Sequence, residues 1–289
     1  MIKLFDIQQY KQHVQEAVQQ VRQHTSLEPR IGVICGTGMG GLATQIAEAV
    51  SIPYRRIPHF PLSTVESHDG NLVLGHLSGT PVMMMQGRFH RYEGYTLKQV
   101  TFPVRVMQQM GCTHLVVMNA VGSMNPLIRR GSIVLVTDHV NFMGENPLVG
   151  PNDEQLGPRF PDMSEPYDHG LQELAREVAT EAKIRLNEGV LVAVTGPNLE
   201  TRAEYRMFRQ LGMDIVTMST VPEVIVARHA GMKVMALSTV TDECLPDALK
   251  PADIREIIEA AQSAEPRLVT LVTGVLSRLS SGRPARDLW

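Results

Sequence analysis

The sequence predicts an α/β protein built as one domain, with a twisted, mixed but largely parallel β-sheet surrounded by helices. Three observations carry that expectation. Short apolar runs rich in β-branched residues alternate with segments of helical period, the pattern of strands buried on both faces and covered by helices. Polar or small residues close these runs rather than interrupt them, which gathers chemistry at one edge of the sheet. The chain has 289 residues, 43% of them hydrophobic and 20% charged, enough for a full core.

Ile7, Tyr10, Val14, Val18 and Val21 recur at helical spacing, so residues 1–28 predict an amphipathic helix ahead of the sheet. The first strand is IGVIC at 31–35, followed by a helix over 40–49. Strands follow at 82–86 (VMMMQ), 114–119 (HLVVMN) and 132–140 (SIVLVTDHV), with a helix over 97–110. After an irregular stretch over 143–166, rich in Pro, Gly and Asn, come a helix over 168–183 and a strand over 190–196. The pattern closes with helix 201–211, strand 214–218, helix 222–230, strand 233–241 and helix 252–278. An irregular stretch of that length is a functional loop or, as the structural alternative, a domain linker. Because the same alternation resumes beyond it, one domain is the preferred reading. Residues 280–289 read as a flexible tail.

Lys and Arg total 27 against 30 Asp and Glu, and no run of five like charges occurs, so the basic stripe of a nucleic-acid binder is missing. Three cysteines, Cys35, Cys112 and Cys244, give neither a disulfide framework nor a CxxC pair, which fits a reducing, cytoplasmic compartment. The N-terminus lacks the apolar core of a signal peptide. The longest stretch without an ionised side chain, 106–128, is broken by Gln108, Gln109, His114, Asn119, Asn125 and Pro126, so no membrane span is expected. His68, His90, His139 and His229 lie in separate segments and no HExxH occurs; no metal is expected.

The first strand ends in GTGMGG, where Gly36, Gly38 and Gly41 fit GxGxxG. Backbone amides at such a turn cradle phosphate, and Thr37 adds a hydroxyl donor; a bare tight turn is the plain alternative. A dinucleotide site needs an acid about 20 residues on, where Arg55 and Arg56 stand instead. Arg88 and His90 follow the strand VMMMQ directly, which aims a guanidinium fork and an imidazole at the same crevice. Asn119, Ala120, Val121 and Gly122 end the next strand, Glu200 follows VAVTGPN, Met218 and Ser219 end DIVTM, and Asp242 ends VMALSTVT. Glu200 also fits an acid in the first helical turn, and Asp242 a helix cap.

With these residues in view, the chain from Arg30 to Leu276 resembles the trimeric, low-molecular-mass purine nucleoside phosphorylases. The segments that carry the resemblance are GTGMGG, FPLSTVESHDG, QGRFHRYEGY, TFPVRV, NPLVGPNDE, GPNLETRAE and MSTVPEVIVARH. It implies phosphorolysis of a purine nucleoside by inorganic phosphate as co-substrate, with no other cofactor, in a homotrimer. It also implies phosphate contacts at Thr37 (in place of Ser), His68, Arg88, His90, the Ala120 amide and Ser219. The nucleoside falls to Tyr92, Leu199, Glu200, Thr217, Met218 and Asp242, with Phe160 lent to a neighbouring subunit and Ile254 at the 5′ end. Catalysis falls to Asp242, Glu200 and His90.

Several positions depart from the family pattern. Asp242 stands where the family has Asn facing N7 of the purine. A carboxylate there repels a purine anion, so Asp242 is expected to work protonated. It then donates to N7 and accepts from a 6-amino group, as in the related methylthioadenosine phosphorylases. Ile254 replaces a His, Leu199 a Phe, Val121 an Ala, and both Ser123 and Thr217 a Gly. Glu200 nonetheless suits a purine bearing hydrogen on N1. Three readings follow: a purine nucleoside phosphorylase, an enzyme preferring adenosine or methylthioadenosine, and a non-catalytic nucleoside-binding homologue. Retention of Thr37, Arg88, His90 and Ser219 argues against the last.

Overall fold

A computed structural model describes residues 5–36, 40–64 and 70–281. Its strands are β1 (Ile31–Cys35), β2 (Ala47–Pro53), β3 (Asn71–Leu77), β4 (Thr80–Gln86), β5 (His114–Ser123), β6 (Ile133–Asn141), β7 (Leu186–Ala193), β8 (Ile215–Thr217) and β9 (Lys233–Glu243). Its helices are α1 (Ile7–Arg22), α2 (Leu97–Val100), α3 (Phe102–Gln109), α4 (His169–Glu181), α5 (Arg202–Gln210), α6 (Val221–His229) and α7 (Ile254–Ser280). The strand order is β2-β3-β4-β1-β5-β8-β7-β6-β9, and β9 returns to pair with β5. Five strands thus close into a small barrel, and β1 to β4 extend from it as a wing. Five of the nine neighbouring pairings among the described residues are parallel, counting β5 with β9 as the closing pair.

Side chains leave a strand alternately to its two faces, and here both faces are covered. Ile34, Leu72, Met83, Leu115 and Val117 join Val14 of α1, Met107 of α3 and Val224 of α6 in one core. Ile31, Val33, Val82, Met84 and Val116 join Leu174 of α4 and Leu271 of α7 in the other. Continuous apolar strands are the result of that double burial. Helix starts are capped as their sequences indicate. Asp168 accepts from Leu171 N at α4, Thr201 and Glu204 form a capping box at α5, and Asp253 accepts from Arg255 N at α7.

Two stretches differ from the sequence expectation. Residues 40–49 hold a short 3-10 turn (Gly40–Gln45) and the start of β2 rather than a helix, because β2 pairs antiparallel with β3. β3, unforeseen, forms a hairpin with β4 across Ser78 and Gly79, both at positive φ (51° and 77°). A Ser-Gly pair between two apolar runs is a two-residue hairpin signal that was readable. The helix over 97–110 breaks at Thr101 into α2 and α3, since Pro103 has no N–H to continue the helical bonding.

The site is positioned by a gap in the sheet. β5 pairs with β1 as far as Ile34–Val117 and with β8 only from Gly122–Val216. Between them Met118 to Val121 face no strand on that edge, while β9 pairs along the other edge. Where neighbouring strands diverge from one central strand, a crevice opens at their ends.

Candidate active site

A cavity of about 270 Å³ lies at that gap. Arg88, His90 and Tyr92 reach it from the segment after β4, and Ala120 and Val121 from β5. Leu199 and Glu200 come from the turn after β7, Thr217, Met218 and Ser219 from the end of β8, and Asp242 from β9. The strand ends singled out in the sequence therefore meet around one cleft. Thr37 and His68 lie outside the described residues.

One half of the cleft is built for an anion. Arg88 is buried and its guanidinium makes a 3.0 Å ion pair with Glu223 of α6. Its Nη1 donates to Ser219 Oγ at 3.1 Å and Thr220 Oγ1 at 3.2 Å. Glu223 fixes the fork from behind, so Arg88 has one orientation before a ligand arrives. His90 is held in the same way. Glu93 accepts from the His90 backbone at 2.7 Å and meets Nδ1 at 3.0 Å, and its other oxygen accepts from Thr64 N at 2.8 Å and Thr64 Oγ1 at 2.7 Å. Burial works against the Glu93 anion, but these hydrogen bonds outweigh it and bring its pKa down to about 2. Nδ1 therefore donates to a carboxylate, and the ring lies flat on Tyr92 with centroids 4.6 Å apart.

The other half presents two carboxyl groups. Glu200 has its pKa raised, chiefly by burial, with a hydrogen bond from Tyr205 opposing and the charges of Glu204 and Asp242 adding to the rise. Asp242 has a donor at each oxygen: Thr241 Oγ1 at 3.1 Å from Oδ1 and Cys244 Sγ at 2.9 Å from Oδ2. Burial pushes the Cys244 thiol well above its ordinary range, so it stays protonated and donates.

One expected position stands elsewhere. Ile254, the first residue of α7, is exposed, and Ile257 one turn later lines the cleft in its place. Sequence alignment alone cannot fix helical phase across the irregular 244–253 segment. Phe160 is 87% exposed on the long loop and takes no part in its own chain's cleft. Cys244, Tyr205, Glu93 and Glu223 escaped the sequence reading. Glu93 had a signal, three residues beyond His90 at capping-box spacing, whereas Glu223 meets Arg88 only through the fold. Among the described residues no three His, Cys, Asp or Glu are grouped to hold a metal, and no helix is long and apolar enough to cross a membrane.

The sequence pattern of the Phosphorylase superfamily matches residues 30–277 of this chain. The chain belongs to that superfamily. Within it the chain stands with the purine nucleoside phosphorylases. It is 47% identical to purine nucleoside phosphorylase 1 of Geobacillus stearothermophilus over 267 residues, 92% of this chain and 97% of the relative. A Schistosoma mansoni purine nucleoside phosphorylase isoform solved with cytosine and ribose-1-phosphate superposes with a TM-score of 0.89 at 38% identity, covering 93% of this chain and 96% of that one. Another Schistosoma mansoni structure, solved with adenosine, gives a TM-score of 0.88 at 40% identity, covering 93% and 97%. The superfamily fold is thus the single-domain mixed sheet described above, and its match begins just before β1 and ends within α7.

Proposed function

We propose that this chain is a pentosyltransferase that cleaves the N-glycosidic bond of purine nucleosides and 2′-deoxynucleosides with inorganic phosphate, giving the free purine and (deoxy)ribose 1-phosphate. The observation that carries the reading is one cleft with an anion half, Arg88 and Ser219, and a carboxyl half, Glu200 and Asp242. Phosphate binds at Arg88, His90, Ser219 and the Ala120 amide, with Thr37 and His68 completing the set. The sugar rests on Met218 beside Tyr92, and the purine lies between Leu199 and the two carboxyl groups. As the bond breaks, positive charge grows on the sugar and negative charge on the purine. The fixed phosphate stabilises the first, and the second develops at N7 beside Asp242. The gain from the phosphate is largest in the transition state.

Base choice follows from protonation of Glu200. Ionised, it accepts N1–H of a 6-oxopurine; protonated, it donates to the bare N1 of a 6-aminopurine. The upward pull of burial on Glu200 favours acceptance of the second class, and Asp242 accepts from the 6-amino group. The enzyme acts in the cytoplasm as a homotrimer, with Phe160 walling a neighbour's nucleoside.

The test is release of the free purine from inosine, guanosine, adenosine and methylthioadenosine, with and without phosphate. Phosphate-dependent cleavage of the oxo- and aminopurine nucleosides is expected, and Asp242→Asn should abolish the amino activity while sparing inosine. Cleavage that ignores phosphate, or no cleavage of any purine nucleoside, removes the reading.

A further inference from the structure

We propose that Thr217 is a positioning residue for phosphate: its hydroxyl is the middle link of a one-way hydrogen-bond relay that turns the Ser219 proton toward the bound anion. The inference rests on the phosphate-binding reading above and adds a residue to it.

The relay starts in the core. Ser238 of β9 donates its hydroxyl to Asn119 Oδ1 at 2.7 Å. This fixes which end of the amide faces β8, and Asn119 Nδ2 donates to Thr217 Oγ1 at 3.1 Å. The Thr217 proton then has two acceptors, the Ala120 carbonyl at 3.5 Å and Ser219 Oγ at 3.2 Å, a hydroxyl pair in which either oxygen can donate; the relay assigns the proton to the nearer contact, from Thr217 to Ser219. Ser219 Oγ also accepts from Arg88 Nη1 at 3.1 Å. A hydroxyl oxygen offers two lone pairs, and these donors occupy both. What Ser219 has left to offer is its own proton.

That proton has a competitor within the protein, Thr220 Oγ1, but the contact is 3.4 Å long and Thr220 Oγ1 already accepts from Arg88 at 3.2 Å. An oxyanion in the cleft is the stronger acceptor. Ser238, Asn119, Thr217 and Ser219 are all at most 7% exposed, so bulk water does not scramble the direction of the chain. Ser219 is therefore set as a donor before phosphate arrives, and no rotor has to be frozen on binding. Glycine, the residue at this position in the resembling family, has no hydroxyl and forms no such link.

Thr217→Val keeps the shape and deletes the hydroxyl. Steady-state kinetics with inosine should show the phosphate KM raised roughly five- to tenfold, the size of one lost neutral hydrogen bond, and raised by more than the inosine KM. Thr217→Ser should restore most of the phosphate KM. Should the valine variant fail to fold, Thr217→Ala carries the same expectation. An unchanged phosphate KM, or a rise confined to the nucleoside KM, overturns the relay. Calorimetric titration of the same proteins with inorganic phosphate separates this from the functional reading. If wild type binds phosphate but cleaves no purine nucleoside, the function is wrong and the relay is judged on the phosphate Kd alone; if wild type binds no phosphate, the relay falls too.

Discussion

Glu200 and Asp242 show how much of the chemistry hangs on single side chains. Burial lifts the pKa of Glu200, so its proton persists to higher pH than on a surface carboxyl and is lost as pH rises through the raised value. Loss of that proton removes the donor to N1 of a 6-aminopurine and creates the acceptor for N1–H of a 6-oxopurine. The ratio of kcat/KM for adenosine to that for inosine should therefore fall as pH rises; a flat or rising ratio takes Glu200 protonation out of the specificity argument. Arg88, His90 and Asp242 were legible because each stands at or just beyond the end of an apolar run, and Glu200 because it closes the turn after one. The groups that orient them were not. Glu223 reaches Arg88 only when α6 packs beside it, and nothing local in VPEV announces such a partner; Cys244 lies two residues beyond Asp242, but a lone cysteine after a buried strand reads first as a small apolar residue.

At the scale of elements, the sequence placed strands well where both faces are apolar and poorly at the rim. β1, β5 and β9 are buried almost throughout, so their composition is dictated. β2 is mostly exposed, and its polar pattern carried no strand signal; only pairing with β3 makes it one. At the start of α7 the sequence expectation and the cleft lining name different residues, Ile254 and Ile257, because a helix turns about 100° per residue and three residues decide which side chain meets the cleft. Ile257→Ala should raise the nucleoside KM roughly three- to tenfold by deleting apolar contact. Ile254→Ala should leave it within about twofold, since that residue is exposed at the helix start. The reverse pattern in steady-state kinetics restores the sequence assignment.

At the scale of the molecule, Phe160 is a large aromatic ring turned to solvent, with the Arg159 guanidinium 5.5 Å from its centroid. A single exposed ring is ordinary on a protein surface, so its proposed place in a neighbour's cleft has to be tested in the assembly. Sedimentation should give three times the chain mass, and Phe160→Ala should raise the nucleoside KM without changing that mass. Co-expression of Phe160→Ala with Arg88→Ala subunits should recover activity, because mixed assemblies contain clefts with both groups intact; no recovery means that Phe160 serves no neighbour. The sequence by itself determined the α/β class, the buried strands, the family resemblance and most of the strand-end residues, because these depend on local periodicity and on what directly follows each apolar run. The tertiary structure decided the closure of β5 to β9 into a barrel, the gap between β1 and β8, the phase of α7 and the pairing of Arg88 with Glu223. Those features depend on which distant segments become neighbours when two apolar faces are buried together, and no local pattern encodes that choice.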